Sequence, residues 1–250
     1  MISRRLGKIF SLGIFGLMVF TSLSFAADLS LDELVAKIQA NQAKIKDMYA
    51  ETTTTITSTM AVPGQKEKGP QKMVQKGKMW TKGKDKSKVE MLSPMRQTTV
   101  TNGDKMMIIN PETGQKIVQD LKKLREKSGM PDASKQMDLE RAKELFDLSA
   151  TKKGEDYIIV GVPKKEIKIL GKMEFYVDSE KWVPTKVLMY DSKGKLLSQS
   201  EIEYTKVSDV WVPAKNVSNV TTPMGTMKVE MEFTNIKVNQ GISDKEFKID

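Results

Sequence analysis

Apolar and polar residues alternate with a period of two through much of this chain, and turn residues interrupt the pattern at short intervals. The sharpest alternation lies near the C-terminus. There Met227, Val229, Met231 and Phe233 alternate with Lys228, Glu230, Glu232 and Thr234. A second clear run sets Met173, Phe175 and Val177 against Glu174, Tyr176 and Asp178. Successive side chains of a strand point to opposite faces, so each run predicts a strand with one apolar and one wet face. Further strand candidates are 49–62, 71–81, 86–92, 96–102, 105–110 and 115–120, then 148–152, 157–162, 172–178, 183–190, 196–206, 212–221 and 226–238. The separators carry turn chemistry: Pro63-Gly64, Lys82-Gly83, Ser93-Pro94, Asn102-Gly103-Asp104 and Pro111-Glu112-Thr113-Gly114.

Two stretches depart from this period. Ser30-Leu31-Asp32-Glu33 is a capping box, and Leu31, Leu34, Val35, Ile38, Ile45 and Met48 follow with helical spacing. This predicts an amphipathic helix whose apolar stripe lies on the sheet. Residues 121–146 form a helical insert. Leu121 and Leu124 belong to a first short helix, and Leu139, Leu145 and Phe146 to a second. Trp182-Val183-Pro184 returns as Trp211-Val212-Pro213, each copy after a polar turn. Proline donates no ladder hydrogen bond, so it belongs at a strand start, an edge or a bulge. Each copy therefore reads as a turn, an aromatic anchor and a strand beginning. The tail 242–247 reads as a closing turn whose apolar ends dock. A dozen or so antiparallel strands cannot stay flat. The expected fold is mainly β with a few helices: a curved antiparallel sheet forming an incomplete, half-open β-barrel, with an N-terminal helix and a helical lid insert.

Composition narrows the function. The chain of 250 residues carries 41 Lys and Arg against 32 Asp and Glu, for a net charge of +9. Residues 1–26 have the order of a cleaved signal peptide: Arg4, Arg5 and Lys8, then an apolar run, then Ser24-Phe25-Ala26-Ala27. The apolar run falls short of the roughly 20 residues of a spanning helix. Removing that leader takes away three positive charges and leaves +6 on 27–250, read as one domain. The remaining lysines are scattered among acids, and no basic stripe is interleaved with aromatics, so nucleic acid is not an expected partner. With no His and no Cys, the sequence excludes imidazole bases, His-based triads, thiol nucleophiles, disulfides and a lipid-attached cysteine. No Gly-rich phosphate loop appears. No enzyme activity, catalytic residue, metal or cofactor is expected.

Methionine is the unusual feature, with 17 copies. Met60, Met73, Met79, Met91, Met107, Met173, Met189, Met227 and Met231 all fall on predicted strands. With Ile109, Phe175, Val177, Val229 and Phe233 they are the expected lining of a hydrophobic cavity. Flexible thioethers repack around irregular apolar shapes, whether core neighbours or ligand.

Three stretches resemble the LolA-like outer-membrane lipoprotein-sorting proteins. They are the helix and strand of 31–59, the run from Gly77-Lys78-Met79-Trp80 to Asn110-Pro111, and the span from Phe175-Tyr176-Val177-Asp178 to Asn235-Ile236-Lys237-Val238-Asn239 with both Trp-Val-Pro units. The twin units resemble the broader sorting group more than the compact carrier. Two positions depart from the carriers: Lys82-Gly83-Lys84 holds no lid-latching Arg, and Met106 or Met107 replaces an aromatic. The resemblance implies a periplasmic monomer in a Gram-negative envelope that binds lipoprotein acyl chains or another lipid. It implies shuttling from an inner-membrane transporter to an outer-membrane acceptor, with 121–146 as the lid. A lipid- or lipoprotein-sensing module that signals to a membrane partner is the competing expectation. A structural envelope protein with a filled interior is the third.

Overall fold

The computed structural model describes residues 29–59, 69–123, 139–165, 170–222 and 224–249. The expected signal peptide, Met60 and Leu124 lie outside the described residues.

Helix α1 spans Leu31–Ala43. Its capping box forms as expected: the Ser30 backbone N–H donates to Glu33 Oε2 at 2.9 Å and the Glu33 N–H donates back to Ser30 Oγ at 3.3 Å. The helix stops at Ala43, short of Ile45 and Met48, whose spacing had continued the helical pattern. Met48 instead belongs to the first strand, and both pack against buried Val210, Val212 and Val238.

Six strands follow: β1 (Asp47–Ser58), β2 (Gln71–Lys82), β3 (Lys86–Ser93), β4 (Gln97–Asn102), β5 (Lys105–Ile109) and β6 (Lys116–Asp120). After α2 (Leu139–Leu145) come β7 (Phe146–Lys153), β8 (Asp156–Pro163), β9 (Lys172–Asp178), β10 (Val183–Tyr190), β11 (Leu196–Val207), β12 (Val210–Thr222) and β13 (Gly225–Val238). A 3-10 turn at Asp244–Phe247 ends the described fold. All thirteen strands of the described residues join one sheet in the order β6-β5-β4-β3-β2-β1-β13-β12-β11-β10-β9-β8-β7. Two meanders are thus joined where the first strand meets the last, and β6 does not pair with β7. The sheet is curved, antiparallel and unclosed, the half-open barrel the alternation predicts.

Both Trp-Val-Pro units sit at irregularities of this sheet. The β9–β10 register shifts between Pro184 and Lys186, and the β11–β12 register shifts opposite Glu203 and Tyr204, where Pro213 pairs with Tyr204. Bulges absorb the missing proline N–H and sharpen the local twist. The first unit matches its expectation, since Trp182 takes a left-handed φ of 55° and β10 begins at Val183. The second does not: β12 begins at Val210, so Trp211 lies inside the strand and Ser208 takes the left-handed position, φ 58°.

Tyr204 ties the two units together by donating its hydroxyl proton to the Pro184 carbonyl at 2.9 Å. Burial pushes this phenol up to about 12. A phenol whose folded pKa is raised contributes stability that is complete below its unfolded value and is lost as pH rises through the folded one. Folding stability should therefore fall between pH 10 and 12. In Tyr204→Phe that part of the alkaline loss should vanish, at a cost of about 1 kcal/mol at neutral pH. Urea unfolding followed across this window checks both.

Candidate functional site

Three apolar clusters divide the two faces of the sheet. On one face Leu34 of α1 is fully buried against Tyr157 of β8 and Val177 of β9, with Ile38 and Trp182 packed around them. On the other face Phe247 is fully buried against Val100 and Met107, with Trp80, Ile109 and Ile242 beside it. The third cluster, around Val210, Val212 and Val238, lies below the point where β12 leaves β13. There the side chain of Asn41 accepts from the Trp211 N–H at 3.4 Å and donates to its carbonyl at 3.3 Å, standing in for a missing strand.

Pairing carries the α1 face across the sheet. Phe175 lies opposite Val187, Val187 opposite Ser200, Ser200 opposite Ser218, Ser218 opposite Val229, Val229 opposite Ile56, and Ile56 opposite Met73. Directly opposed residues share a face. Neighbouring rows follow the same rule: Met173 with Met189, Met227 with Val220, Met231 with Thr54, Phe233 with Thr52, and Ala50 with Met79. Beyond β2 the face continues through Met91, Val89, Ile108 and Ile117.

Most of the sequence-predicted lining is therefore brought together. Met73, Met79, Met91, Met173, Phe175, Val177, Met189, Met227, Val229, Met231 and Phe233 share the α1 face. Met107 and Ile109 do not. They lie on the opposite face, where Met107 is buried beneath the C-terminal turn. Val100 pairs with Met107 and also with Lys88, which in turn pairs with Trp80, and this fixes the side. Ile56, Val89, Val187, Ile108 and Ile117 join the α1 face without having been singled out.

Of the predicted residues on this face only Val177 belongs to the buried core, where Leu34 covers it. The rest are half-buried, and Met73 remains 40% exposed. A polar seam divides the face. Ser200 and Ser218 share a hydroxyl hydrogen bond of 2.8 Å, and the Ser218 hydroxyl also donates to Asn216 Oδ1 at 3.3 Å. Thr52 and Thr54 continue the polar character onto β1. On β9, β12 and β13 charge lies on the reverse face. Lys228 pairs with Glu230 at 3.0 Å, Lys215 with Glu232 at 3.3 Å and Lys172 with Glu174 at 2.8 Å. The hydrogen bond from Lys228 holds the Glu230 carboxyl below its ordinary value.

The insert is described only at its ends. Leu121 opens a helical turn directly after β6, and Leu139 opens α2. Leu145 closes α2, whereas Phe146 is the first residue of β7, opposite Pro163, and so leaves the insert. Lys143 of α2 reaches Asp32 of α1 at 2.8 Å, so the two helices are neighbours.

A family model described as "-like: Uncharacterized protein" matches residues 83–250. No curated protein matches in sequence. Among solved structures, a DUF1329 family protein from Desulfovibrio piger is similar at 17% identity and TM-score 0.59, over 86% of this chain and 94% of that one. A protein domain from Vibrio parahaemolyticus, described as outer membrane lipoprotein-sorting, is similar at 15% identity and TM-score 0.57, over 86% and 95%. A LolA superfamily protein from Nitrosomonas europaea is similar at 12% identity and TM-score 0.56, over 88% and 98%.

Proposed function

The chain belongs to the uncharacterized-protein family whose model spans residues 83–250 and has the fold of the LolA-like lipoprotein-sorting group, and from that premise we propose that it is a periplasmic carrier of acyl chains. The cargo is the acyl portion of a lipoprotein or a related lipid, held on the α1 face. The carrier performs no chemistry. As a monomer it takes cargo from an inner-membrane transporter and gives it to an outer-membrane acceptor.

One observation supports this most. A methionine-rich apolar face crosses the sheet from β9 to β6 and stays half-buried under the described residues. A folded protein that needed this surface only as core would bury it. Each acyl CH₂ removed from water gains about 0.8 kcal/mol. Full enclosure would hold several chains almost irreversibly. An unclosed sheet lined by thioethers encloses part of the chain and can repack as cargo leaves.

Organic extracts of the purified protein should contain acyl lipids by mass spectrometry. Met231→Glu places a carboxylate in the middle of the face and should lower bound lipid at least tenfold, with the thermal unfolding profile by circular dichroism retained. A wild-type protein that neither holds nor accepts acyl chains would sink the proposal. Transfer of labelled cargo between donor and acceptor vesicles tests the shuttling step. Binding without catalytic transfer would favour the sensing module instead.

A further inference from the structure

The two tryptophans of the repeated units meet in one place. Trp182, at the β9–β10 turn, and Trp211, on β12, line a single cavity of about 400 Å³ beside α1, at the end of the apolar face where Trp182 also packs on the Leu34 cluster. Lys37 and Lys44 of α1, Lys181 of the turn and Lys206 of β11 surround them. The Lys37 ammonium lies 4.5 Å from the Trp182 ring centre, and those of Lys181 and Lys206 lie 5.6 and 5.9 Å from that of Trp211.

The ion pairs leave part of this charge available. Lys181 is committed to Asp178, whose carboxylate also accepts from the backbone N–H groups of Glu180 and Lys181 at 2.9 and 2.8 Å. Lys44 lies 3.8 Å from Asp209, and both side chains are more than half exposed. Lys37 and Lys206 form no salt bridge among the described residues, Lys37 only adding to the charge that lowers the Glu33 carboxyl one helical turn away, and both are exposed. The cavity lining thus has four ammonium groups against the carboxylates of Glu180 and Asp209. Indoles favour a boundary where one edge is apolar and the other wet. Lysines near an anionic bilayer gain about 1 kcal/mol each. Their combination in a concave site fits a phosphate-bearing lipid headgroup at a membrane surface.

We propose that this cavity is a membrane contact, in which Lys37 and Lys206 meet the phosphate of an anionic phospholipid while Trp182 and Trp211 enter the interface. It does not depend on what the α1 face carries. The exported chain, 27–250, with Trp80→Phe keeps Trp182 and Trp211 as its only indoles, since the sequence has three. With vesicles of phosphatidylcholine and phosphatidylglycerol, their fluorescence should shift to the blue and the protein should float with the vesicles. With phosphatidylcholine alone, neither should occur. Lys37→Gln with Lys206→Gln should weaken binding about tenfold or more. Lys193→Gln with Lys195→Gln removes the same charge at the exposed β10–β11 turn and should leave binding nearly unchanged. Equal losses in both double variants would reduce the effect to net charge and overturn the proposal. So would a fluorescence response saturated by inorganic phosphate without vesicles, which would make the cavity a site for the free anion. Unchanged binding by the Lys37 and Lys206 variant, folded by circular dichroism, would overturn it as well.

Discussion

Phe247→Ala should cost about 3–5 kcal/mol of folding stability and leave acyl binding intact. Phe247 has no exposed surface and fills the space between Val100, Met107, Trp80 and Ile109. Those neighbours lie on three strands of one sheet, β2, β4 and β5, that cannot collapse inward to close the void. The loss should therefore lie near the upper end for a large-to-small change. The turn carrying Phe247 is held by polar contacts as well. Asn102 donates to the Phe247 carbonyl at 3.1 Å, Lys82 to the Ile242 carbonyl at 2.7 Å, and Lys88 pairs with Glu246 at 2.9 Å. These contacts, two of them part-buried, orient the tail but do not replace the buried ring. Urea unfolding measures the loss. The lipid content of the folded variant tests whether the two faces act separately. A drop matching that of Met231→Glu would mean that Met107 and the α1 face form one unit after all.

Asp47→Ala should cost about 3 kcal/mol, through a different cause. Asp47 is the buried charged residue among the described residues, 5% exposed. It accepts from the N–H groups of Gln240 at 2.8 Å, Gly241 at 3.0 Å and Ile242 at 3.4 Å. Removing the carboxylate leaves these donors without their acceptor in a partly buried loop, at about 1–3 kcal/mol for each buried unsatisfied group. Asp47→Asn keeps one acceptor oxygen and should recover part of the loss. Equal unfolding midpoints for Asp47→Ala and wild type would show that the loop finds other partners.

The sheet could be read from the chain wherever one alternate was charged. On β13 the Lys and Glu alternates leave one placement for Met227, Met231 and Phe233. On β5 the sequence Met106-Met107-Ile108-Ile109 is apolar at every position: one alternate packs under Phe247 and the other belongs to the half-buried α1 face. Alternation then says nothing about side. The Asn102-Gly103-Asp104 turn sets the register that turns Met106 and Ile108 toward α1 and Met107 and Ile109 toward Phe247. The seam across the α1 face was hidden for the opposite reason. Thr52 to Thr55 are polar on both alternates, so the hydroxyls facing the apolar residues look like those facing water. The meeting of Trp182 and Trp211 was also beyond reach. It depends on two bulges and on a helix that ends at Ala43, and neither has a period.

An unclosed sheet has two rims, and among the described residues β6 and β7 leave a row of backbone donors and acceptors without a strand partner. Such a row can template growth by another copy of the same chain. Here β6 is only five residues long and carries Lys116 and Asp120 at its ends, while β7 carries Asp147, Lys152 and Lys153. Brevity and charge at the rims make strand-by-strand addition unfavourable. The opening that gives access to the apolar face therefore need not make the protein prone to fibrils.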